Sequence, residues 1–236
     1  MPLVDILEAG FERPRIGPSD PGFALKVPRL AIEPGEAFGL VGPSGSGKST
    51  LIDLLAMLRF PGTARRFRIC ETDLLALQPR QAQAVTTALR ARHLGVVLQT
   101  GGLLPSLPLL ENVLLAQRLH GPPDLDWAMH LLHMLGIEAL TRRLPAQLSV
   151  GQRQRAAIAR ALAHRPALVL ADEPTSALGS GQAAAALDLL LSSAAASGAA
   201  LVVASHDIDL LRSRGLPLRA IQVSGSLAVL DEAMGN

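Results

Sequence analysis

Residues 42–50 read GPSGSGKST, and their spacing, GxxxxGK[ST], is one that handles phosphate. Gly42, Pro43, Ser44, Gly45, Ser46 and Gly47 make a loop whose glycines let backbone N–H groups wrap phosphate oxygens. Lys48 places its charge on β and γ phosphates, the Ser49 hydroxyl can hold Mg²⁺, and Thr50 closes the pattern. The only lysines are Lys26 and Lys48, in a chain whose cations are otherwise arginine. A Gly/Ser turn with a stray lysine is the bland alternative. The apolar run AFGLV before the loop and the helix-like LIDLLAML after it weigh against that alternative.

Further residues could serve the same chemistry. In ALVLADEP an apolar strand delivers Asp172 at its end, where a P-loop protein holds its metal, and Glu173 beside it is a base or water-orienting group. Two adjacent carboxylates also fit plain surface charge or a helix cap. His206 in ASHD and Gln99 after GVVL each follow a strand; alone, such residues are ordinary, but the C-terminal edge of a parallel sheet turns both toward one crevice. There the Gln99 amide could meet Mg²⁺ or water. In LSVGQRQR, residues 148–155, Ser149 followed by Gln152 has the form of a capping box, and the helix start with Gly151 also suits an anion. Ala157, Ile158, Ala161 and Leu162 then form a buried stripe, with Arg153, Arg155 and Arg160 largely outside it.

The elements that must position these groups are short, continuous apolar runs at 37–41, 95–98, 167–171 and 200–205, as buried parallel strands require. Residues from roughly 100 to 165 are mostly helical and punctuated by proline, a subdomain inserted into an α/β core. The stretch to about residue 36 holds short β-like pieces such as FALKV, and 219–230 reads as a hairpin around Ser224, Gly225 and Ser226. The expected fold is therefore α/β: a P-loop NTPase core with a mostly parallel sheet, an N-terminal antiparallel β region and the helical insertion, all in one domain over 1–236.

Composition narrows the class. With 236 residues, 49% of them hydrophobic, the chain can bury a sizeable core, and disorder is excluded. The single Cys70 excludes an internal disulfide framework and fits a reducing compartment. A net charge of +2 gives no case for nucleic acid. The N-terminus lacks a secretory pattern, and the weakly polar run 187–205 reads as helix, turn and strand rather than a membrane span.

Taken in order, GPSGSGKST, Gln99, LSVGQ, LVLAD with Glu173, and His206 resemble the Walker A, Q-loop, signature, Walker B and switch histidine of an ATP-binding cassette (ABC) transporter subunit. The resemblance implies ATP and Mg²⁺ as ligands and a head-to-tail dimer, each ATP lying between one subunit's Walker A and the other's Ser149, Gly151 and Gln152. It implies catalysis by Glu173, His206 and Lys48, metal binding by Ser49, Gln99 and Asp172, and a cytoplasmic protein on the inner face of the membrane. RHLGVVLQ, LLPSLPLLENVLL and LVLADEPT are most similar to the lipoprotein-release and macrolide-export type, whose permease would dock near Gln99 to Leu110. Three positions depart from the family pattern. Val150 stands where Gly is usual, a change an N-terminal helical residue accepts. Gly179 replaces the Asp of the D-loop, which puts coordination between the two sites in doubt. No Tyr exists to stack on adenine, so Phe11, with Phe23 behind it, either takes that role or belongs to the core. A soluble, non-transport cassette is the alternative function. A P-loop kinase or GTPase leaves LSVGQRQR idle.

Overall fold

The computed structural model describes residues 1–13, 22–98, 101–119, 121–176 and 178–231. Among the described residues ten strands form one sheet: β1 (Val4–Arg13), β2 (Phe23–Ile32), β3 (Ala37–Val41), β4 (Arg66–Ile69), β5 (Thr72–Asp73), β6 (Leu94–Val97), β7 (Leu168–Asp172), β8 (Ala200–Ser205), β9 (Leu218–Ser224) and β10 (Leu227–Leu230). Their spatial order is β5-β4-β1-β2-β10-β9-β3-β8-β7-β6. The half from β9 through β3, β8 and β7 to β6 is parallel. Strand β9 belongs to both halves: Leu218–Ala220 pair with β3, whereas Ile221–Ser224 pair with β10.

The parallel strands are buried on both faces because their side chains alternate between two cores. Leu168, Leu170, Val202 and Ala204 enter one core with α1 (Lys48–Leu55) and the antiparallel strands. Val169, Ala171, Leu201 and Val203 enter the other, against the helices. This explains why the sequence shows continuous apolar runs there and not alternation. Two strands sit one residue from their expected places. Asp172 pairs with Ala204 and so joins β7, while β6 pairs from Leu94 through Val97 and leaves Leu98 outside, 44% exposed.

The N-terminal region differs more from the sequence expectation. Instead of short pieces it contains two ten-residue strands, β1 and β2. Pro28 lies inside β2 but costs no rung with β10, whose partners on β2 are Ala24, Leu25 and Lys26. On the other side the rungs Leu7–Arg29 and Ala9–Val27 flank it, and Glu8 takes φ 51°.

In the region between β6 and β7 lie α3 (Leu109–Arg118), α4 (Leu125–Met134) and α5 (Val150–Leu162). Alanines at 156, 157, 159 and 161, all nearly inaccessible, let α3 and α4 approach α5 closely, so its buried surface is wider than the expected stripe. Helix α2 (Pro79–His93) precedes β6, α6 (Ser180–Ser197) precedes β8 and α7 (Ile208–Ser213) follows it. Gly198, at φ 71°, ends α6, as a left-handed cap requires. Among the described residues no helix is long and apolar enough to cross a membrane.

Candidate functional site

Sheet register brings the predicted chemistry together. Val41 pairs with Ser205 and Asp172 with Ala204, so the loop after β3, Glu173 after β7 and His206 after β8 leave one edge of the sheet side by side. The loop from Gly42 to Gly47 then turns into α1, whose N-cap is Gly47 at φ 98° with no side chain capping it. The first N–H groups of the helix are therefore left for an anion. Gly47 is required twice over: its φ is positive, and a Cβ there would come within 2.6 Å of Phe23 Cζ.

Lys48 is 7% exposed and its Nζ donates to the carbonyls of Gly42 at 2.8 Å and Pro43 at 3.2 Å. The ammonium is thus tethered across the mouth of its own loop and lies 3.9 Å from Glu173 Oε1. Glu173 is held in a sparsely populated conformation, φ 49°, by its N–H donating to Ala204 O and by Ser176 Oγ donating to its carbonyl. Strain of this kind survives where surrounding contacts enforce it, and it clusters at functional positions. Its other oxygen, Oε2, lies 2.9 Å from His206 Nδ1. Asp207 accepts from Leu210 N, capping α7, and its own N–H donates to Ser205 Oγ, which fixes the turn that carries His206. One carboxylate therefore stands between a cation and an imidazole.

Asp172 Oδ1 is buried with no hydrogen-bond partner among the described residues, as is Ser46 Oγ, whereas Ser49 is exposed. A buried carboxylate oxygen left unmatched is a costly arrangement for a protein to keep unless something coordinates it. Asp172 and the Ser49 hydroxyl suit a hard cation that takes its remaining ligands from water and phosphate, as Mg²⁺ does. No cluster of three or more His, Cys, Asp or Glu that could hold a metal ion exists among the described residues. Gln99, the other expected metal ligand, and Thr100 lie outside the described residues.

The cleft of about 610 Å³ that Lys48, Ser49, Glu173 and His206 line is also lined by Ser44, Gly45, Thr50, Phe11, Phe23 and Arg59. Phe11 is half-buried, packs against the α1-side core and carries the Arg59 guanidinium 5.4 Å from its ring centroid. It is both a core contact and a wall of the cleft.

The octet at 148–155 lies elsewhere. Ser149 is the N-cap of α5; its Oγ accepts Gln152 N–H at 3.2 Å while Ser149 N–H donates to Gln152 Oε1 at 2.9 Å, a complete capping box. Val150 is the first helical residue and 45% exposed, and a Cβ on Gly151 would meet nothing within 4 Å. These residues line a second cleft of about 570 Å³ with Leu178, Gly181 and Gln182, and no described residue lines both clefts. Gly179, the N-cap of α6, offers no side chain to its helix.

The arginines of α5 are structural. Arg153 donates to Leu148 O, Arg155 to Leu135 O at 3.2 Å, and Arg160 to Gly102 O and, at 3.1 Å, Gly101 O. Burial holds the Arg160 pKa below the usual guanidinium range. The loop 101–108 is also pinned by Asn112, fully buried, whose side chain accepts Leu104 N–H and donates to the carbonyls of Leu104 and Leu107. Neither Asn112 nor Arg59 is marked in the sequence: the Asn112 partners are backbone groups a few residues back in an irregular loop, and the Phe11 ring beside Arg59 comes from a distant strand.

Residues 25–176 match the family model described as ABC transporter. The lipoprotein-releasing system ATP-binding protein LolD 1 of Rhodospirillum rubrum is 41% identical over 78% of this chain and 80% of its own. The LolD of Anaeromyxobacter dehalogenans is 43% identical over 75% of this chain and 74% of its own. The methionine import ATP-binding protein MetN of Cupriavidus necator is 37% identical over 91% of this chain and 59% of its own. Among solved structures, the dimeric post-hydrolysis state of the ATP-binding cassette MJ0796 bound to ADP and Pi superposes with a TM-score of 0.76 at 29% identity, covering 99% of this chain and 100% of that one. The fold, the phosphate loop and these likenesses agree: the chain belongs to the ABC transporter family, as an ATP-binding subunit that hydrolyses ATP.

Proposed function

We propose that this subunit energises a membrane permease of the lipoprotein-release type, working as a head-to-tail dimer with two MgATP at its interface. The observation that carries the dimer is the separation of the two clefts: Lys48, Glu173 and His206 line one, Ser149 and Gly151 the other, with no described residue in common. A second copy, related by a two-fold axis, would bring each signature helix onto the opposite phosphate loop. The release-type assignment rests on the named function of the LolD relatives.

In this reading, the N–H groups of the Gly42–Gly47 loop and Lys48 bind the β and γ phosphates and Phe11 stacks on the base. Glu173 orients the attacking water and takes its proton as the Pγ–O bond to ADP breaks, releasing phosphate. His206, anchored to the same carboxylate, contacts the γ-phosphate, while the partner's α5 N-terminus supplies N–H groups to the charge that develops there. Asp172 and Ser49, with Gln99, would hold Mg²⁺, which neutralises phosphate charge when bound. The segment near Gln99 to Leu110, whose loop 101–108 is fixed by Asn112 and Arg160, would present the permease contact on the cytoplasmic face of the membrane. Detergent extraction with this subunit tagged tests the proposal. A co-purifying permease with a large extracytoplasmic domain, and ATPase activity stimulated by it, are expected; a soluble assembly partner in its place would favour the non-transport alternative.

A further inference from the structure

Three residues, two of them lining the nucleotide cleft, are linked in series. Asp53, on α1, accepts a hydrogen bond from Arg59 Nε at 2.9 Å, and its backbone carbonyl accepts the Arg59 N–H at 3.2 Å. The same guanidinium lies 5.4 Å from the centroid of the Phe11 ring, within the reach of a cation–π attraction. Arg59 follows α1 and Phe11 belongs to β1, so the contact ties the phosphate-binding helix to the strand that carries the ring. Both side chains line the cleft shared by Lys48 and Glu173.

The Arg59 side chain is 49% exposed, so folding gains little from its ion pair with Asp53. A half-exposed ring beside a cleft, by contrast, stacks well on a base only if its orientation is settled before the base arrives, since ordering it on binding costs affinity. A guanidinium whose Nε is anchored to Asp53 and whose central carbon lies over the ring supplies that restraint. An ammonium can restore the charge over the ring but has no Nε to anchor to Asp53 at the same time.

We propose that Arg59 is a positioning residue for the nucleotide base, holding Phe11 in a stacking orientation through a relay that begins at Asp53. This rests on the assignment of Phe11 as the stacking platform. Calorimetric titration of the full chain with MgATP and with inorganic tripolyphosphate, which has no base, separates the two ideas. Arg59→Gln should weaken MgATP about threefold while leaving tripolyphosphate unchanged, Arg59→Lys should recover part of the loss, and Arg59→Gln should add nothing to Phe11→Ala. An equal loss for both ligands would make Arg59 a phosphate contact and overturn the proposal, as would an undiminished loss on the Phe11→Ala background. If Phe11→Ala alone spares MgATP, the stacking platform itself is wrong. If it weakens MgATP but Arg59→Gln does not, only the role of Arg59 falls.

Discussion

Glu173 Oε2 lies 2.9 Å from His206 Nδ1 while Glu173 Oε1 lies 3.9 Å from Lys48 Nζ, so a single carboxylate joins groups from three parallel strand ends. The strained φ of 49° at Glu173 is what turns its side chain into that position. Glutamine at 173 keeps the shape and cannot take a proton. Glu173→Gln is therefore expected to bind MgATP with wild-type affinity, to lower turnover by about 10² or more, and to accumulate as an ATP-bound dimer. Equal steady-state rates at saturating MgATP would remove Glu173 from the catalytic role.

Gly179 is the N-cap of α6 at φ −67° and ψ 157°, the extended geometry of a capping residue, and a Cβ there meets nothing within 4 Å. Asp fits without strain. Gly179→Asp should add a few tenths of a kcal/mol to stability through a side-chain cap, read as a small rise in denaturation midpoint. It should also raise ATPase activity or its Hill coefficient if the missing carboxylate weakens communication between sites; an unchanged rate and Hill coefficient would mean compensation elsewhere.

Asn112 holds the loop 101–108 by satisfying backbone groups of Leu104 and Leu107 in a fully buried setting. Removing it strands those groups, so Asn112→Ala should cost about 1–3 kcal/mol, measurable by urea denaturation with the m-value unchanged. A loss below a few tenths would show that the loop repacks freely.

The phosphate loop and the parallel strands were legible because their signals are local: glycine spacing around a lysine, and apolar runs buried on both faces. The capping box at Ser149 was legible for the same reason. The sequence of β1 and β2 suggests fragments, because Gly10 and Pro28 interrupt the β-like pattern, and Pro28 is harmless only because β10 pairs no further along β2 than Lys26. Helix α2 left little trace, since Thr86 is its only buried residue and no apolar stripe marks it. Arg160 and the Phe11 contact of Arg59 have no signature in the chain, because a carbonyl or ring contributed by a remote segment leaves no pattern; the Asn112 partners are near in sequence, but a loop of irregular backbone has no period that points to them. The separation of the two clefts is likewise a property of the folded chain.

That separation supplies the most direct measurement of the central claim, that the signature helix completes the site of a second copy. Lys48→Ala and Ser149→Arg, each in the Glu173→Gln background, abolish opposite halves of the composite site: one loses the phosphate contact, the other puts a bulky cation where the capping hydroxyl and the anion should be. Either mutant alone should show almost no nucleotide-dependent dimer by gel filtration with labelled ATP. In the mixture, the intact phosphate loop of the Ser149→Arg chain meets the intact signature of the Lys48→Ala chain, so one complete site forms and dimer with trapped MgATP should recover. If both chains are folded and the mixture yields no more dimer than either mutant alone, Ser149 does no more than cap its own helix.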